Sequence, residues 1–62
     1  MSWRIRYLML QAVTSELSGD AAADLLDKVG FLDDDDFRSA VFAELTREGH
    51  DAEEVMRNYG LI

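Results

Sequence analysis

The sequence predicts an all-α protein, a single domain over residues 1–62 built as a small bundle of three to four short helices. Apolar residues recur at i, i+3, i+4 and i+7 over most of the chain. Breaks near residues 18–19, 30–33 and 49–51 each pair a glycine with serine or aspartate, the residues that stop one helix and start the next. Proline is absent, so nothing inside the periodic stretches forbids helix.

Residues 3–17 form the first predicted helix. Trp3, Ile5, Leu8, Met9, Leu10, Ala12, Val13 and Leu17 fill an arc of roughly 200°, wider than the stripe of a little over 100° that one core face needs. Two readings follow: this helix is central and covered from two sides, or Trp3, Tyr7 and Leu10 form a surface for a partner or a second copy, with large aromatics as its anchors. Arg6 falls inside the apolar arc, where an unpaired charge is expensive; it either meets an acidic group across an interface or snorkels to water. Trp3-Arg4-Ile5-Arg6-Tyr7 also alternates with period two, so a minority reading makes it a strand paired between two chains.

Asp20 or Ser18 caps a second helix that runs to about Val29, with Ala21, Ala22, Leu25, Leu26 and Val29 inward and Lys28 complementing the dipole in the last turn. Gly30 is expected to close it in a left-handed conformation, and Phe31 and Leu32 to fold back as a hydrophobic plug. Asp33 is the expected cap of the third helix, about 34–48, and Asp34, Asp35 and Asp36 occupy its first turn, where negative charge suits the dipole. Four carboxylates exceed what a helix start requires. Phe37, Ala40, Val41 and Leu45 share the inner face, interrupted by Glu44. Gly49 ends this helix, and Asp51 with Glu54 three residues on opens the last one, about 52–58. The expected core is Ile5, Met9, Val13, Leu25, Leu26, Val29, Phe31, Phe37, Val41, Leu45, Val55 and Met56.

Composition narrows function by exclusion. A 62-residue domain buries only about 60% of its unfolded surface, and here it has no cysteine for disulfides or structural zinc. The apolar fraction of 48% leans towards a homo-oligomer or a constant protein partner. Six basic against thirteen acidic residues give a formal charge of −7, and nine of the acids but only three of the bases follow residue 31. Such a field disfavours direct nucleic-acid binding and anionic membranes. With no signal peptide and no apolar run long enough for a bilayer, a soluble cytoplasmic protein is expected.

Catalytic and metal chemistry find no support. Asp33, Asp35 and Glu44 match the first, third and twelfth positions of a calcium loop, but the fifth is Phe37 and the sixth, which needs glycine, is Arg38. His50 with Glu54 supplies two ligands where zinc needs three or four. No serine has a base in a recognisable relation, and no glycine-rich phosphate loop is present. No cofactor is expected, and the protein is not expected to be an enzyme.

Across residues 25–59, Leu25-Leu26, Gly30-Phe31-Leu32-Asp33-Asp34, Phe37, Gly49, Val55 and Tyr59 together resemble one three-helix repeat of the RecX family, regulators of the RecA recombinase. That resemblance implies an all-helical module binding a recombinase filament. The same stretch looks slightly like a ubiquitin-associated domain, whose Gly-Phe turn joins its first two helices. Both imply protein binding without catalysis. The sequence thus points to a protein-binding adaptor or regulator, with Trp3, Arg6, Tyr7, Leu10, Asp34 and Asp35 as candidate contact residues. The alternative is an acidic nucleic-acid mimic blocking a nucleic-acid-binding protein.

Overall fold

The computed structural model describes residues 3–62. Four helices follow one another: α1 (Trp3–Glu16), α2 (Gly19–Lys28), α3 (Asp34–Arg47) and α4 (Ala52–Asn58). No strand occurs among the described residues, so the protein is a small all-α bundle. The five-residue alternation at Trp3–Tyr7 gives way to the longer helical period that puts Arg6, Met9 and Val13 on one face. α1, α2 and α3 pack against one another, and α4 docks on α3. α3 packs against all three other helices.

The core gathers Met9, Ala12, Val13 and Leu17 from α1 and its exit, Ala21 and Leu25 from α2, Phe37, Val41 and Leu45 from α3, Ala52 and Met56 from α4, and Leu61. Three expected core members, Ile5, Val29 and Val55, are half-buried and pack on its edge. Two others lie outside it. Leu26 is exposed because Leu25, about 100° away on the same helix, takes the core position. Phe31 is 88% exposed.

The reason for Phe31 lies in Gly30. Among the described residues, positive φ occurs only at Gly49 (88°) and Gly60 (76°), so Gly30 does not make the expected left-handed cap. The chain instead continues in helix-like fashion: Phe31 N–H donates to the Lys28 carbonyl at 3.0 Å and Leu32 N–H to the same oxygen at 3.1 Å. Continued winding sends Phe31 roughly 200° round from Val29, away from the core, and brings Leu32 back towards it. Leu32 is accordingly half-buried against the core while Phe31 faces solvent.

The left-handed closures come later. His50 N–H donates to the Leu45 carbonyl and Gly49 N–H to that of Thr46, and the pattern repeats as Leu61 to Met56 and Gly60 to Arg57. These paired bonds satisfy helix-terminal carbonyls, and they turn Leu61 into the core. The helix starts follow the sequence closely. Asp33 Oδ1 accepts from Asp36 N–H at 2.8 Å, and Asp51 Oδ1 accepts from Glu54 N–H at 3.2 Å. Ser18 is the N-cap residue of α2, yet its side chain makes no capping bond. Its hydroxyl donates instead to Glu48 Oε2 at 2.8 Å, and its N–H to Glu48 Oε1 at 3.0 Å. One carboxylate thus ties the start of α2 to the end of α3.

Two expectations follow from these ends. Gly60→Ala and Gly49→Ala each cost about 1 kcal/mol or more, because alanine is strained at positive φ, whereas Gly30→Ala is neutral or stabilising by about 0.4–1 kcal/mol. A Cβ at Gly30 meets nothing within 4 Å, and urea titration of the three variants checks the ranking. The Ser18 hydroxyl and N–H hold the Glu48 carboxyl below its ordinary value of 4.5. A depressed folded value stabilises above the unfolded one and is lost as pH falls through the folded one. The stability gap between wild type and Glu48→Gln should therefore be widest near neutrality and close as pH drops below about 4.5; a gap that stays constant from neutral to acid pH excludes the tie.

Candidate functional site

Arg6 is the one charged residue buried among the described residues, with 1% of its surface exposed. Helix geometry places it beside the core residues Met9 and Val13, pointing at the α2–α3 turn. Its Nε donates to Asp34 Oδ1 at 2.8 Å, its Nη1 to the Val29 carbonyl and its Nη2 to the Leu32 carbonyl. The guanidinium carbon lies 5.6 Å from the centroid of the Phe37 ring, within range of a cation–π contact. Each neighbour answers a need. Taking a cation out of water costs several kcal/mol, and only a counter-ion together with filled donor positions offsets it. The two carbonyls belong to a turn that has left regular helix, where carbonyls lack intrahelical partners.

Arg6 and Asp34, both candidate contact residues in the sequence, thus meet each other inside the chain, 28 positions apart. The remaining candidates surround this junction. Counted round α1 from Arg6, Leu10, Trp3 and Tyr7 fall at roughly 40°, 60° and 100° on one side, with Met9 and Val13 on the other. Trp3 is 75% and Tyr7 61% exposed, Leu10 is half-buried against the core, and Asp35 is exposed. The Tyr7 hydroxyl accepts from Gln11 Nε2 at 3.0 Å, holding the ring along the helix surface.

Phe31, like Leu26, is a residue expected in the core that lies outside it. It sits between Val29 and Leu32, the two residues whose carbonyls Arg6 grips, and it is the most exposed large apolar side chain described. The signal available was indirect: an arginine inside the apolar arc needs acceptors, and a turn that offers carbonyls inward turns other groups outward. Trp3 and Tyr7 of α1, Phe31 of the turn and the carboxylates Asp33, Asp35 and Asp36 at the start of α3 are thus exposed on the segments that the Arg6 junction joins.

Other regions offer less. Among the described residues no group of three or more His, Asp or Glu side chains is placed to hold a metal ion. A shallow surface depression of about 330 Å³ is lined by Asp51, Glu53, Glu54 and Arg57, the cap and outer face of α4, all charged side chains. No helix among the described residues is long and apolar enough to cross a membrane. Comparison with models of known families, with curated proteins and with solved structures finds no match.

The junction makes a stability prediction. Arg6→Ala removes the donors to Asp34 and to the Val29 and Leu32 carbonyls and should cost about 3–5 kcal/mol, much of the stability of a small domain. Asp34→Asn, with its side chain 26% exposed to water, should cost less, about 1–2 kcal/mol. Thermal melts followed by circular dichroism distinguish them, and a loss below about 1 kcal/mol for Arg6→Ala excludes the clamp.

Proposed function

We propose that this chain is a non-catalytic protein-binding module whose contact surface is the end of the bundle organised by Arg6. The observation that carries the reading is Phe31: a large aromatic held almost wholly in water by a turn that is pinned at Val29 and Leu32. Exposing such a ring gains nothing for the fold. Presenting it rigidly helps association, because aromatic anchors dominate interface energies and a pre-ordered turn loses little entropy on binding. Trp3 and Tyr7, one turn apart on α1, extend the apolar area from the other side of the Arg6 junction.

The test compares the wild-type chain with Trp3→Ser/Phe31→Ser, immobilised and exposed to a lysate of the native host. Both side chains are exposed, so the double variant should keep its helicity and melt within about 1 kcal/mol of wild type. A protein retained by wild type should fall at least about tenfold with the variant, as expected for loss of two anchors each contributing more than about 1 kcal/mol. Equal recovery from both columns refutes the surface.

A further inference from the structure

We infer that the occupant of this surface is a cationic amphipathic segment of another protein, its apolar side chains on Trp3, Tyr7 and Phe31 and its lysines or arginines opposite Asp35 and Asp36. The inference rests on the protein-binding reading above and adds the chemistry of the partner. It comes from how the charges of this chain are spent. Arg6 is paired with Asp34, Lys28 with Asp24, Arg47 with Glu44 and Arg57 with Glu53. Only exposed Arg4 and half-buried Arg38 remain as Lys/Arg side chains outside an ion pair among the described residues. On the acidic side, Asp33 is occupied in capping, but Asp35 and Asp36 are exposed and make no ion pair among the described residues. Asp27, four residues before Phe31 on the outward side of α2, is likewise exposed and unpaired among them.

The aromatic surface therefore has an acidic rim with its charge left over. A second copy of the chain cannot complement that rim: it brings a formal charge of −7 and has already consumed most of its own cations. Nucleic acid and anionic lipid are repelled by the same field. A helix or strand with lysines and arginines flanking an apolar stripe satisfies both parts of the surface, the aromatics by burial and the carboxylates by opposed charge, which also speeds encounter.

Trp3 is the sole tryptophan, so its emission reports occupancy of the surface directly. The full chain is titrated with a synthetic 18-residue amphipathic peptide of leucine and lysine, and with its leucine and glutamate counterpart. The lysine peptide should shift Trp3 emission to the blue, with an affinity that falls about tenfold or more between low and high salt, and the glutamate peptide should not bind. Asp35→Asn/Asp36→Asn should weaken the lysine peptide about three- to tenfold. Glu53→Gln/Glu54→Gln, the same charge change on α4, should leave affinity within about twofold. Equal losses from the two pairs mean attraction to net charge alone and overturn the inference. So does absence of binding by the lysine peptide, or a mass in sedimentation that doubles with concentration. If both peptides bind and Phe31→Ser abolishes both, the cationic occupant is wrong while the aromatic surface stands. If Phe31→Ser leaves lysine-peptide binding unchanged, the aromatic surface itself is wrong.

Discussion

A guanidinium buried between α1 and the α2–α3 turn is the contact on which the architecture depends. Arg6 joins three successive elements through Asp34, through the carbonyls of Val29 and Leu32, and across the ring of Phe37. Its chemistry is specific. The planar fork supplies directed donors to several acceptors at once and stacks on an aromatic face, whereas a lysine ammonium is a strongly hydrated point charge. An apolar side chain of similar size would remove the charge together with the donors that the turn's carbonyls and Asp34 accept from.

α1 needs this anchor more than the other helices do. α2, α3 and α4 each carry acid in the first turn and a base in the last, in accord with the helix dipole. α1 has neither, and Arg4 and Arg6 stand at its start where the dipole disfavours them. Its helicity therefore rests on tertiary packing of Met9, Ala12 and Val13 and on the Arg6 junction. In a 62-residue chain with no disulfide, these contacts and the Ser18–Glu48 tie take the place of covalent staples.

The run of four aspartates divides its work along the chain. Asp33 caps α3, Asp34 neutralises Arg6, and Asp35 and Asp36 face solvent beside an exposed aromatic ring. Structure and recognition are thus neighbours in sequence, and the clamp that stabilises the fold also sets the orientation of the surface proposed to bind. Coupling of this kind means that a destabilised turn also misplaces Phe31.

The sequence by itself determined what depends on local physics. Helical periodicity set the four helices, glycine and aspartate set their ends at Ser18–Gly19, Gly30–Asp33 and Gly49–Asp51, and Asp33 and Asp51 cap as their positions require. Tertiary structure decided what depends on residues far apart. The burial of Arg6 needs Asp34 and Phe37, about thirty positions away, so no local window reveals it. The exposure of Phe31 follows from that junction and from Gly30 winding on as helix instead of turning left-handed. Spacing already put Ala12 in the apolar arc of the first helix and Ala21 inward on the second, and both are buried; how fully a methyl group is enclosed is decided by its close-packed neighbours.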